Sequence, residues 1–547
     1  MIKIQAATNA DDALVLWNSD AQISGCLGFA LERRRNGNKE VVDNYVGFPG
    51  DAIGHRPSTE WPFQRWKWTD HPVSSGDRVA YRVTARIGQP GALRDGPRSA
   101  WTSELVASGG APFGAHFNPG IVASQWVANR LGHDAVANHP VELLDAIRSP
   151  GDPLRNALSG ELRTALLDLL TRAEWPGYEL HAVLFELSDP ELMAALETLG
   201  PRAHVILANG AHDKQHPDEN HAARKRLRGR IDLSDRCLTS YLAHNKFAVL
   251  TENGSPILVW TGSTNWTPTG LCTQANNALV IEDGAVALEY LDQWHRIKDA
   301  QDRFPAALRQ ANAAVKSSLV GLAATPTRVW FTPLANQVDL KDARAVIASA
   351  KDGILFLMFN PGTRDTLLTA IREAASVARI HGQQLYVRGV LNQDPGGRRK
   401  PVLMYDERGI VPNDLDVVLP ARISDPFGRW VPELLKAPSA RAMVHSKCVV
   451  IDPLGPKPVV MTGSHNLGTR ASAHNDDNLV IIEGNRELAL AYTVNILAIY
   501  GNYRWRENQL RAHPGSWTNL TIDDKWQGWG LHGDGALEAR FWFGPSA

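Results

Sequence analysis

The sequence predicts an α/β protein: two repeated α/β sandwich lobes preceded by a small β-sandwich. Three observations predict it. A 39-position segment occurs twice, strands alternate with helices upstream of each copy, and residues 1–110 follow a different, turn-rich pattern. The expected units are 1–110, 111–324 and 325–547, the last including a Trp-rich tail. A chain of 547 residues has room for several average domains.

The first unit contains short alternating segments, ISGCLGFALERR, FQRWKWTD and DRVAYRVTARI, separated by Gly, Pro and Asp and by the turn SSGD. Such alternation suits strands with one buried face. DRVAYRVTARI followed by SAWTSEL resembles the last strands of fibronectin type III domains.

Each lobe is expected to open on a strand, in AHFNP (115–119) and VWFTP (329–333), with the boundary between lobes near Ala323–Pro326. ELHAVLFEL (179–187) and GILFLMFNP (353–361) are apolar runs fit for buried strands. Helical patterns follow, DPELMAALETLG and TRDTLLTAIREAA, the first with Asp189 as N-cap ahead of Pro190. AHVILAN and LYVRGVLN are the next strands, and a long polar loop leads from each into the repeat. Val286, Tyr290, Leu291 and Trp294 then mark a helix after the first copy. Two such α/β units predict a pseudo-dimer.

The repeat itself sets His244–Glu282 beside His445–Glu483 without a gap, and twelve of the 39 positions are identical. The shared residues include His244, Lys246, Ser263, Asn265 and Glu282 in the first copy and His445, Lys447, Ser464, Asn466 and Glu483 in the second. Residues two apart on a strand face the same way, so each histidine projects with its lysine. The Ser and Asn of GSxN are expected at the end of the neighbouring strand. Imidazole, ammonium, hydroxyl and carboxamide from both copies would converge on an oxyanion with several negative oxygens, a phosphate. One imidazole can attack phosphorus while the other protonates the leaving oxygen. The lysines and asparagines neutralise the charge that develops. No cofactor and no metal ligand set is called for.

HSKCVVID, with Asp452 five places after Lys447, followed by GSHN, resembles the HKD motif of the phospholipase D superfamily. The resemblance covers about residues 111–505. It implies two lobes about a pseudo-twofold axis and a metal-independent phosphodiesterase working through a phosphohistidine. It also implies His244 as nucleophile and His445 as general acid, with Glu483 orienting His244 and Glu282 orienting His445. The motif Asp is replaced by Thr251 in the first copy, which puts only a structural support in question.

The superfamily's substrates include phospholipids and nucleic acids. The basic runs ARKRLRGR (223–230) and GGRRK (396–400) supply Arg224, Lys225, Arg226, Arg228, Arg398, Arg399 and Lys400 as candidate contacts to DNA phosphates or anionic headgroups. Against a nuclease stand the formal net charge of −1 and the acidic stretches HDKQHPDENH and MYDERG. The expectation is a phospholipase D-type hydrolase acting on phospholipid headgroups, with an endonuclease and a non-catalytic phosphate-binding scaffold as alternatives. His212, His216 and His221 read as an exposed polar loop rather than a metal site. Cys26, Cys237, Cys272 and Cys448 lack metal-site or disulfide-framework spacing and read as reduced thiols. No signal peptide and no apolar run of membrane-spanning length is seen, which predicts a cytoplasmic protein without a transmembrane segment, with export by a route that needs no N-terminal signal as the alternative. The tail tryptophans, Trp517, Trp526, Trp529 and Trp542, are expected to pack on the last unit, with peripheral membrane contact as the alternative.

Overall fold

A computed structural model describes all residues except 53, 72, 109–111, 121–139, 212–216, 363–365, 393–415, 419–442, 512–518 and 545–547. The chain divides into two compact units, residues 1–109 with 504–547, and residues 110–503.

The first unit is β-rich, as expected. One sheet holds Ile2–Thr8, Ala13–Ser19 and Lys67–Asp70; the other runs Leu105–Val106, Arg78–Gln89, Cys26–Arg35, Asn38–Val41, with Ala92–Arg98 also paired to Arg78–Gln89. Val15 and Trp17 from one sheet meet Phe29, Leu31, Tyr81 and Val83 from the other in a shared core. Likeness to fibronectin type III domains stays an expectation of the sequence.

The tail departs from the expectation. It packs on this β-rich unit. Trp526 is buried against Phe29 and Trp66, and its Nε1 donates to the Cys26 carbonyl at 2.9 Å. Asp524 accepts from the Gly25 amide, and Glu538 pairs with Lys67 at 2.7 Å. The sandwich core supplies the apolar surface that these indoles cover. With Trp526 and Trp542 both buried, neither serves as an interfacial anchor. Trp517 lies outside the described residues. No helix among the described residues is long and apolar enough to cross a membrane.

The second unit carries the repeat as two mixed sheets of matching order. In the first, the spatial order is Phe113–Phe117, Asn277–Ile281, Ser255–Gly262, Lys246–Glu252, Tyr178–Leu184, Ala203–Ala208, Asp232–Arg236. In the second, it is Lys316–Val320, Thr325–Phe331, Asn478–Glu483, Val459–Gly463, Lys447–Ile451, Gly353–Met358, Tyr386–Leu391, Asp416–Val418. Leaving out Lys316–Val320, each strand has its counterpart in the same place. That extra strand forms a hairpin with Thr325–Phe331, so the second sheet begins before the expected boundary.

Local signals act as their chemistry requires. Asp189 accepts from the Glu191 and Leu192 amides at 3.1 Å and starts the helix Pro190–Leu199. Thr366 caps Leu367–Ile380. Val286, Tyr290, Leu291 and Trp294 form the buried side of Gly284–Ala300. Asp452 accepts from the amides of Lys351, Asp352 and Gly353, tying its strand end to the next. Thr251 instead donates to the Glu179 carbonyl at 3.4 Å. The first lobe thus replaces an acceptor by a donor at the same corner.

Candidate active site

The lobes meet at the starts of the two HxK strands. His244 N donates to the Asp476 carbonyl and His445 N to the Ala275 carbonyl, both at 2.9 Å. Asp476 and Ala275 are equivalent positions of the repeat, so each motif strand is stitched to the other lobe by the same bond. Asn277 Nδ2 donates to Thr462 and to the Tyr492 hydroxyl; Asn478 Oδ1 accepts from Thr261 and from the Tyr290 hydroxyl. These four bonds are also related by the pseudo-twofold. Arg236 pairs with Asp476 across the same seam, both fully buried.

His244, Lys246, His445 and Lys447 are all buried at this seam, none more than 5% exposed. Lys246 Nζ lies 2.7 Å from the His244 carbonyl and 4.4 Å from the centre of the Phe185 ring. Lys447 repeats this with the His445 carbonyl at 2.6 Å and Phe359 at 4.9 Å. The same two rings meet the histidines edge-on. Phe185 and Phe359 end the equivalent strands ELHAVLF and GILFLMF.

The expected partners of the histidines are not the ones present. Glu282 is exposed, 3.6 Å from Arg172, and Glu483 pairs with Arg328. Each closes a strand whose opposite end is at the site, about 20 Å away at strand rise. Asp477 Oδ1 instead sits 2.7 Å from His244 Nδ1, and Asn276 Oδ1 2.9 Å from His445 Nδ1. Asp477 and Asn276 are equivalent in the repeat, and each reaches the histidine of the other lobe. Identity between the two copies is the signal that marks the histidines and lysines. This position escapes because it differs between copies, although both residues are polar ahead of an apolar strand.

Ser263 and Ser464, expected to face phosphate, are fully buried and donate to Asn276 Oδ1 (2.7 Å) and Asp477 Oδ1 (2.8 Å). They position the residues that position the histidines. A further layer lies behind them. Asn118 Oδ1 accepts from the Asn276 amide, and Thr332 Oγ1 from the Asp477 amide. These are the polar residues before proline that end the first strand of each lobe. Asn265 Nδ2 donates to Glu186 Oε2 at 2.8 Å; Asn466 is half-buried.

Burial governs the electrostatics. It pushes His244 down to about 4, with Lys246 adding to the shift and Asp477 opposing it. His445 is likewise held well below the usual imidazole range by burial and then by both lysines. Burial lowers Lys246 to about 7 and Lys447 well below an ordinary lysine. All four groups lie below their ordinary values because burial penalises the charged form, and a bound phosphate would raise each of them.

The first basic run is not a free patch. His221–Leu227 is a helix, and Arg224 is buried between Asp218 and Asp235. Arg226 binds Glu197 in two places, and Arg228 binds Asp235. Lys225 alone of the four candidates is exposed without a recorded ion pair among the described residues. The acids that follow in the fold consume the charge that the run shows in sequence. Arg224→Ala is expected to cost about 2 kcal/mol of stability and to leave the salt dependence of DNA binding unchanged, as read by denaturant melts and titrations. Arg398, Arg399 and Lys400 lie outside the described residues, as do His212 and His216.

Residues 344–498 match the family described as cardiolipin synthase, PLD-like domain. No curated protein matches the chain. Solved structures similar to it include polyphosphate kinase from Porphyromonas gingivalis, at 13% identity over 69% of this chain and 53% of that chain, TM-score 0.37. Phosphatidylserine synthase from Haemophilus influenzae aligns at 10% identity over 65% and 85%, TM-score 0.39. Yeast tyrosyl-DNA phosphodiesterase aligns at 10% over 59% and 88%, TM-score 0.33. The chain spans about half the length of the polyphosphate kinase.

Proposed function

We propose that this chain, which belongs to the phospholipase D superfamily, is a metal-independent phosphodiesterase that cleaves phospholipid headgroups through a phosphohistidine. The asymmetric pair of orienting residues carries the reading. His244 Nε2 attacks phosphorus while the proton on His445 Nε2 passes to the leaving oxygen as the P–O bond breaks. A phosphorylated imidazole that keeps its Nδ1 proton is cationic, and Asp477 supplies the matching charge. His445 faces the neutral Asn276, which orients the ring without making its proton harder to lose. Water then attacks phosphorus, gives its proton to His445, and the P–N bond breaks. An alcohol in place of water would make the same site a phosphatidyltransferase. Lys246 and Lys447 balance the phosphate oxygens.

Charge balance supports a single phosphodiester over a polyanion. The two lysines face two buried carboxylates, Asp477 and Glu186, both of which act on them electrostatically. Phosphatidylcholine vesicles, plasmid and single-stranded DNA, each assayed with EDTA present, form the test. Lipid turnover that survives the chelator is expected. A metal requirement in the chemical step sinks the mechanism; DNA cleavage without lipid turnover replaces the substrate with nucleic acid.

The imidazole shifts predict a pH signature. The pair must hold one proton to work, and burial lowers both imidazoles in the free site, so kcat/KM should fall as pH rises through the acid range in which they titrate, about 4 for His244. Bound phosphate raises both imidazoles, so the same limb in kcat should lie at higher pH. Coincident limbs in the two profiles would contradict this.

A further inference from the structure

Away from the catalytic seam, the first lobe's sheet carries a polar row across three neighbouring strands. His181 and His204 are register partners on parallel strands, and His204 and Asp232 are partners on the next pair. Glu179, two residues before His181, shares its face. The helix Gly284–Ala300 lies over them: Trp294 donates to the Ala182 carbonyl and meets His181 edge to face, ring centres 5.1 Å apart.

The protons in this row are in the wrong places for a self-contained network. His204 Nδ1 is 2.7 Å from Asp232 Oδ2, which places the proton on Nδ1 and a lone pair on Nε2. That Nε2 is buried and has no hydrogen-bond partner. Glu179 Oε2 lies 3.5 Å from it and 3.8 Å from His181 Nε2. All three atoms lie within 4.8 Å of one another. Electron-pair donors facing one another across a gap call for a cation between them.

We infer that Glu179, His181 and His204 hold a divalent first-row transition metal of the zinc class. Two imidazoles and a carboxylate favour such ions over magnesium or calcium. Tetrahedral zinc sets its donors about 3.4 Å apart, close to the two carboxylate–imidazole separations. Asp232 already orients His204 as an outer partner does in histidine–metal sites. The histidine rings stack at 14°, so His181 must turn to aim Nε2 at the ion. Its Nδ1 has no hydrogen bond to hold it back. Glu179 is half-exposed and leaves a fourth position open to solvent. His181 stands four residues before Phe185, about 13 Å along the strand. The ion therefore clips two strands together and takes no part in the phosphoryl chemistry.

Full-length protein, stripped with EDTA and dialysed, would be titrated with zinc chloride by calorimetry at pH 7.5. Cobalt(II) absorption would report the ligand geometry. One zinc per chain is expected, with a rise in melting temperature and an intense visible cobalt band. Glu179→Gln and His181→Gln should each weaken uptake at least about tenfold. Asp232→Asn, which removes no ligand, should weaken it by about ten- to hundredfold. This last variant keeps the test open if a ligand variant does not fold. Absence of stoichiometric binding overturns the proposal. So does uptake that survives Glu179→Gln and His181→Gln but disappears on replacing His216 and His221.

Discussion

His244→Ala is expected to lower turnover by at least about 10⁴-fold, since it removes the atom that bonds to phosphorus. His445→Ala should cost about 10²- to 10⁴-fold with an alkoxide leaving group, the range of a lost general acid. The two should part company on a p-nitrophenyl phosphodiester, whose leaving group needs no proton. There His445→Ala should still form a phosphohistidine, seen as a mass shift on the peptide carrying His244, and then hydrolyse it slowly. His244→Ala should form none. Label on His445 would exchange the roles while leaving the site intact. Near-normal rates in both variants would remove the site altogether.

The second large effect belongs to a residue absent from any motif match. Asp477→Asn is expected to reduce kcat about 10³-fold, because an amide holds the His244 ring without matching the charge of its phosphorylated form. KM should change little, as Asp477 reaches His244 from the side away from substrate. The reciprocal change, Asn276→Asp, should raise the proton affinity of His445, moving the basic limb of kcat/KM upward and slowing poor leaving groups. A purely structural role for both residues predicts parallel losses with unmoved pH limbs. An Asp477→Asn enzyme within twofold of the parent would show that charge at this position does not matter.

Much of this is legible in the sequence. Two HxK strands, two GSxN turns and the alternation around them are local patterns, and local patterns report periodicity and strand faces directly. They predict two α/β lobes, the succession of strands and helices around each motif, and histidines that project together with their lysines. The N-cap at Asp189 and the buried side of Gly284–Ala300 were equally local. What the sequence could not decide were contacts between residues far apart along the chain. The resemblance implied Glu282 and Glu483 as partners of the histidines, yet strand length carries them to the far end of the sheet, where they meet Arg172 and Arg328. Asp477 and Asn276 differ, yet the crossing of the lobes brings each 2.7–2.9 Å from the other lobe's histidine. Arg224 and Arg226 read as a basic patch until folding set Asp218, Asp235 and Glu197 against them. Trp526 read as a neighbour of the last lobe until the chain's end returned to the sandwich that opens it. Side-chain direction within a strand follows from a period of two. Which charge meets which depends on how the sheets close against each other, and only the tertiary structure decides that.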